Sequence, residues 1–325
     1  MTAPQDRILV LKLGALGDVV QALGPFAAIR AHHAKAHLVL LTTRPYLELA
    51  RATDLFDEIW LDSRPGKLNL PGWFDLRRRL RGGHFDRVYD LQTSDRSSFY
   101  FRLLAPGPRP QWSGIARGCS HPHANPARDA MHTIERQAEQ LLLAGIDVVA
   151  KPEDVLNGKG FEPADAAFLT PLEIESPFAL LVPGGAAHRP EKRWPEDRFA
   201  ALAMQLRADG VQPVLLGGDG EKKALTMIAN ACPGAVNLSG RTSLLDLVRL
   251  ARAAHVAVGN DTGPMHLIAA AGCPSLVLFS GSSDPALCGQ RGARVKILRQ
   301  ARLDDIQVAD VVSATKTLVD TGMSA

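Results

Sequence analysis

The sequence predicts an α/β fold built from two doubly wound domains, and three observations carry that prediction. Short apolar runs such as Ile8-Leu9-Val10-Leu11 and Phe178-Ala179-Leu180-Leu181-Val182 have the length and bounding turns of buried parallel strands. They alternate with segments of helical spacing, the pattern that yields a parallel sheet covered by helices. At 325 residues, the chain also exceeds the ~250–300 at which a single core stops growing, so two domains are expected.

In the first half, strands are expected at 8–11, 37–41, 58–61 and 87–91, with helices at 19–31 and 45–52. Residues 106–126 are rich in Pro, Gly and Ser without a clear period and read as an irregular loop. An amphipathic helix is expected at 132–144. The stretch 151–177, with Pro152, Pro163, Pro171 and Pro177, reads as the passage between domains. The second series then runs helix 195–207, strand 211–216, helices 221–231 and 243–253, and strand 256–258. A turn opening a short helix, a strand at 276–279 and a last helix at 304–319 complete it.

A hydrophobic content of 46% and a charged content of 22% describe a globular chain, and a net charge of +3 is too small to argue for a nucleic-acid partner. Cys119, Cys232, Cys273 and Cys288 are widely spaced, which argues against a zinc site and for a reducing compartment. The apolar run after Arg7 is too short for a signal-peptide core, so the expected location is cytoplasmic.

Ligands of doubly wound sheets bind outside the carboxyl ends of the strands. Four stretches fall there. Asn260-Asp261-Thr262-Gly263-Pro264-Met265-His266 joins a strand to a helix that Pro264 suits at its start. Free amides and the helix dipole make such a turn either an anion site or an ordinary capped turn. Gly184 and Gly185, followed by Lys192 and Arg193, offer backbone donors and cations for a diphosphate. Lys192 and Arg193 also fit a solvated basic face, and Trp194 reads as a core anchor. In Gly217-Gly218-Asp219-Gly220-Glu221, Glu221 fits a ribose acceptor or a helix cap. Lys12-Leu13-Gly14-Ala15-Leu16-Gly17-Asp18 places Asp18 as either a helix cap or a general base. Between residues 77 and 117, nine arginines face three aspartates. Of these, Arg77 to Arg81 read as a solvated helix face, whereas Arg96 and Arg102 follow a strand end and suit an anionic acceptor. An anionic membrane surface is the other partner that fits this patch. No dinucleotide fingerprint, phosphate loop, nucleophile elbow or zinc-protease motif is present.

Taken together, residues 8–19, Asp90-Leu91-Gln92, Lys192-Arg193-Trp194-Pro195 and the turn 260–266 resemble the motifs of glycosyltransferase family 9, the ADP-heptose:lipopolysaccharide heptosyltransferases. The resemblance runs over nearly the whole chain. It implies a GT-B architecture, two Rossmann-like domains whose sheets face a central cleft. An acceptor domain would span 1–165, a linker 166–176 and a donor domain 177–303, with helix 304–320 packing back on the first domain. It implies inverting transfer without a metal or other cofactor, from a nucleotide sugar such as ADP-heptose to a lipopolysaccharide-core glycolipid, with peripheral contact at the cytoplasmic face of the inner membrane. Asp18 would be the base and Lys192 the stabiliser of charge on the leaving diphosphate. Gly184, Gly185, Lys192, Arg193, Glu221, Asp261, Thr262, Gly263 and His266 would hold the donor. Lys12, Gly17, Gln92, Arg96 and Arg102 would meet the acceptor. This chain has Leu13-Gly14-Ala15 where several members carry hydroxyls, and Thr93 to Arg96 replace a small residue after the second motif. Alternative readings are a GT-B sugar-nucleotide epimerase, a transferase of another sugar, or an inactive nucleotide-sugar binding module.

Overall fold

The computed structural model describes residues 5–186 and 188–320. The chain forms two compact units that divide between Gly158 and Lys159.

In the first unit the order is β1 (Arg7–Leu11), α1 (Leu16–Gln21), α2 (Leu23–His32), β2 (His37–Thr42), α3 (Leu47–Ala52), β3 (Glu58–Leu61) and α4 (Leu70–Gly82). There follow β4 (Arg87–Asp90), α5 (Asp95–Leu103), β5 (Gln111–Gly114), β6 (His121–Pro122), α6 (Thr133–Leu142) and α7 (Pro152–Leu156). The six strands form one parallel sheet in the order β3-β2-β1-β4-β5-β6. Leu9, Leu11, Val39, Leu41, Val88 and Trp112 project from it into a core shared with Leu76 and Leu80 of α4 and Tyr100 and Phe101 of α5.

The second unit runs α8 (Ala166–Leu169), β7 (Phe178–Val182), α9 (Glu196–Ala208), β8 (Gln212–Leu215), α10 (Lys222–Ala231), β9 (Val236–Asn237) and α11 (Leu244–Ala253). It continues with β10 (Val256–Asn260), α12 (Gly263–Ala270), β11 (Ser275–Phe279), α13 (Pro285–Cys288), β12 (Val295–Arg299) and α14 (Val308–Asp320). Its parallel sheet has the order β12-β11-β10-β7-β8-β9. Counted from each unit's own first strand, both sheets therefore follow the same doubly wound order. Each has a switch point where the chain reverses direction across the sheet, between β1 and β4 in one and between β7 and β10 in the other. A crevice opens at such a point because the loops leaving the two strands diverge.

Three expectations are corrected. The region 106–126 holds strands β5 and β6; Gln111–Gly114 carries no apolar alternation, and its strand character comes from pairing with β4. The residues expected as a linker belong with the second unit. Ala164 donates its amide to Arg249 O at 3.0 Å, and the Arg249 guanidinium lies 4.1 Å over the Phe168 ring. Lastly, α14 was expected on the first domain, but Val311, Ala314 and Leu318 are buried with Phe199, Ala203 and Leu278 in the second unit's core. Its apolar face finds its partners there, and Lys316 adds a 3.0 Å ion pair to Asp209 after α9.

Candidate functional site

In the second unit, the site is assembled around Asn260, the fully buried last residue of β10. Its amide nitrogen donates to Pro183 O at 2.8 Å and Gly184 O at 3.2 Å, and its Oδ1 accepts from the Trp194 amide at 3.1 Å. A single side chain thus ties the loop leaving β7 to the turn leaving β10, across the switch point. Trp194, 1% exposed, anchors the far end of that loop in the core, and its Nε1 donates to Ile306 O at 3.0 Å. The core-anchor reading of Trp194 therefore holds.

The loop so pinned delivers Lys192 to Asp261, with 2.7 Å between Nζ and Oδ2. Gln290 Nε2 donates to the other carboxylate oxygen at 3.2 Å. Both carboxylate oxygens of Asp261 are thus engaged, and it orients the ammonium of Lys192 at the cavity wall. Thr262 is the N-cap of α12 in extended conformation (φ −142°), yet its hydroxyl makes no cap bond, and Oγ1 is buried without a partner. The first amides of α12 have no acceptor within the helix, and the helix dipole adds positive potential there. His266 lies one turn further in and is buried.

Arg193, offered by the sequence as a cation for a diphosphate or as part of a solvated basic face, donates through Nη2 to Gly185 O. Arg189, not singled out from the sequence, lines the cavity and donates to Ser282 O at 2.9 Å. Glu221 accepts from the Gly218 amide at 2.9 Å, so it caps its turn and lines the cavity at once. Gly184 is required beside it, since a Cβ there would come within 2.9 Å of Glu221 Cγ. The resulting cavity has a volume of about 490 Å³ and is lined by Gly184, Gly185, Lys192, Glu221, Thr262 and Gly263 among others. Its size suits a nucleotide-sized ligand. Cations and free amides occupy one wall, as an anionic group demands.

In the first unit, Lys12 and Gln92 meet at the β1/β4 switch point, but their polar atoms are engaged. Lys12 is 4% exposed and donates to Leu91 O at 2.9 Å; burial lowers the pKa of its ammonium, against the opposing charges of Asp18 and Asp90. Gln92 Oε1 accepts from the Leu13 amide at 2.8 Å. Both residues shape the loop 12–18. Gly14 within it has φ +127°, a backbone conformation that favours glycine, and a Cβ would sit 3.0 Å from Tyr46 Oη. Helix α1 starts at Leu16, earlier than expected, so Gly17 is buried inside its first turn and Asp18 is its third residue. Asp18 Oδ2 accepts from the Ala15 amide at 3.2 Å. The cap reading is thus realised, and the same bond fixes the carboxylate while Asp18 remains partly exposed. Its charge is felt by Lys12, Tyr46 and Arg136.

Arg96 leans over the Trp73 ring at 5.4 Å near the start of α5, whereas Arg102 is exposed in the last turn. Seven residues of helix, roughly 10.5 Å, precede Arg102 in α5, which carries it away from the strand end that holds Gln92. Asp90, named within the second motif, was given no role of its own from the sequence. It is fully buried, its Oδ1 accepts from the amides of Gln92 and Thr93, and burial pushes its carboxyl up to about 6. Among the described residues, no group of three or more His, Cys, Asp or Glu is arranged to hold a metal ion, and no helix is long and apolar enough to cross a membrane.

With this geometry in place, comparison with known proteins is informative. The family model for glycosyltransferase family 9 (heptosyltransferase) matches residues 73–315. Lipopolysaccharide heptosyltransferase 2 of Salmonella typhimurium is 27% identical over 313 residues, covering 90% of this chain and 88% of the relative. Lipopolysaccharide heptosyltransferase 1 of Pseudomonas aeruginosa is 25% identical, covering 88% and 81%. Among solved structures, a family 9 glycosyltransferase of Veillonella parvula superposes with TM-score 0.81 at 19% identity, covering 99% of both chains. The ADP-heptose lipopolysaccharide heptosyltransferase II of Escherichia coli gives 0.78 at 21%, covering 98% of this chain and 99% of that one. A putative UDP-N-acetylglucosamine 2-epimerase of Listeria monocytogenes still reaches 0.62 at 11% identity, covering 98% and 88%. Architecture alone therefore does not choose an activity.

Proposed function

The chain belongs to glycosyltransferase family 9, and from that premise we propose that it moves heptose from ADP-heptose onto a lipopolysaccharide-core acceptor, with inversion and without a metal. The observation that carries this reading is the cavity at the β7/β10 switch point, where Asp261 holds Lys192 beside the open amino end of α12. That wall is fitted to the diphosphate of a nucleotide sugar.

In the proposed reaction an acceptor hydroxyl attacks the anomeric carbon from the face opposite the diphosphate. The new C–O bond forms as the bond from C1 to the diphosphate oxygen breaks, and ADP departs with that electron pair. The hydroxyl proton passes to the Asp18 carboxylate. Lys192, the Thr262 hydroxyl and the first amides of α12 would stabilise the charge that grows on the diphosphate, the largest electrostatic contribution available to such a site. Glu221, with one oxygen on the Gly218 amide, is positioned for a ribose hydroxyl. Lys12 and Gln92 support the acceptor side by shaping the loop that carries Asp18, while Arg96 offers a cation to an anionic acceptor. The expected working place is the cytoplasmic face of a membrane that carries the acceptor.

Thermal unfolding with nucleoside diphosphates tests the donor assignment, because a ligand that binds only the folded state raises the melting temperature. ADP is expected to raise it by several degrees at a concentration about a hundred times its dissociation constant, an increment of about 2.7 kcal/mol. UDP and GDP should do so much less. Equal shifts from all three would overturn the adenine-specific reading.

A further inference from the structure

The surface of the first unit carries a feature that substrate handling does not explain. Helix α4 turns Leu76 and Leu80 into the core, yet its opposite stripe begins with large apolar residues: Leu70 is 63% exposed and Phe74 68%. Leu68, just before the helix, is 95% exposed. Residues four apart on a helix are surface neighbours, and the stripe through Leu70 and Phe74 continues into Arg78 and Arg81, both exposed, with Arg78 also paired to Asp75 at 2.5 Å, which leaves the stripe net positive. Phe99 of α5, 40% exposed, joins the patch through the edge-on contact of its ring with Trp73 at 5.1 Å.

The patch is also held in shape. Asn69 caps α4 by accepting the Gly72 amide at 3.0 Å, and Trp73 Nε1 donates to Gly66 O at 3.0 Å, fastening the loop that presents Leu68. Arg77 ties α4 to the end of α5, donating to Leu103 O at 2.8 Å and Ala105 O at 2.9 Å. Single exposed leucines are ordinary on protein surfaces, but adjoining Leu, Leu and Phe on a rigid helix start are not.

We propose that this face, the amino-terminal turns of α4 with Phe99 and the arginines along the same stripe, docks the enzyme on an anionic phospholipid bilayer. The proposal rests on the reading of the protein as a transferase acting on a membrane-borne glycolipid, and it names the surface that meets the membrane. Apolar side chains insert at the level of the acyl boundary while adjacent arginines meet phosphate headgroups, the division of labour seen in interfacial helices. A second copy of this chain is a poorer occupant. A two-fold contact would present the same net-positive patch to itself, with no excess of negative charge for the arginines to meet.

Co-sedimentation of the full chain with vesicles of phosphatidylcholine, or of phosphatidylcholine mixed with phosphatidylglycerol, tests the assignment. The wild type is expected to bind the anionic vesicles at least about tenfold more tightly than the neutral ones, with binding that weakens as salt is raised. Leu70→Ser with Phe74→Ser should lower anionic-vesicle binding about tenfold or more. Arg78→Glu with Arg81→Glu should abolish the preference for phosphatidylglycerol. Both pairs should keep the wild-type melting temperature and the wild-type transfer rate to a water-soluble, delipidated acceptor. That rate tests the transferase reading separately, so failure of one is not failure of the other. Wild type that ignores anionic vesicles, or a Leu70→Ser/Phe74→Ser variant that binds them undiminished, would overturn the assignment. A wild-type dimer dissolved by the same pair would hand the patch to a second copy and overturn it equally.

Discussion

Asp18 combines a structural bond with the role of base proposed for it. Oδ2 accepts the Ala15 amide and so closes the start of α1. An asparagine keeps an acceptor oxygen for that amide but cannot take a proton at neutral pH. Asp18→Asn is therefore expected to leave the melting temperature and ADP affinity unchanged while lowering transfer by about 10²–10⁴, the usual contribution of a positioned base. Near-normal turnover in that variant would remove Asp18 from the proton path. Asp90 makes a different prediction. Its ordinary pKa is 3.8, and burial raises it to about 6 in the folded protein. Between those values the folded state keeps a proton that the unfolded state has released, so the stability Asp90 contributes is complete below about pH 4 and is lost as pH rises to about 6. Urea midpoints across that range should show the Asp90 contribution as a difference: relative to Asp90→Asn, which retains an oxygen for the Gln92 and Thr93 amides, the wild type should lose stability as pH rises from about 4 to about 6.

At the scale of elements, legibility followed local signal. Strands β1, β2, β7, β10 and β11 are apolar runs buried on both faces and were read to within a residue or two. Strands β5 and β6 were not, because Gln111–Gly114 and His121–Pro122 acquire their strand character from neighbours distant in sequence. The candidate site could be proposed from the sequence where a turn follows a strand, which is why Asp18, Lys192 and residues 261–263 could be named. What could not be read was the partnership between side chains: that Asp261 would hold Lys192, that Arg193 would turn to Gly185, or that Asn260 would clamp the loop after β7. Trp194 links these elements, filling the core beside Phe199 while its amide meets Asn260. Trp194→Ala should cost about 3–5 kcal/mol in denaturant unfolding, as truncations of buried aromatics do. It should weaken ADP binding as well, since the loop bearing Lys192 loses its anchor; a stability loss without a change in ADP affinity would show that the loop is held without it.

Across the whole molecule, the same doubly wound order appears twice, and each unit places its candidate residues at its own switch point. The first contributes the carboxylate of Asp18 and the second the cationic, amide-lined cavity around Lys192 and α12. The proposed reaction draws its proton acceptor from the first unit and its leaving-group stabilisation from the second. If the cavity's own cations and amides carry the diphosphate charge, transfer should proceed at an undiminished rate in excess EDTA; a loss restored by added Mg²⁺ would show that a metal supplies part of that charge. The most direct measurement is product analysis with ADP-heptose and a lipopolysaccharide-core acceptor. The account predicts one ADP released for each heptose joined to the acceptor, with inverted anomeric configuration and at most slow ADP release when the acceptor is withheld. Retained configuration, or consumption of ADP-heptose without a glycosylated product, would contradict it.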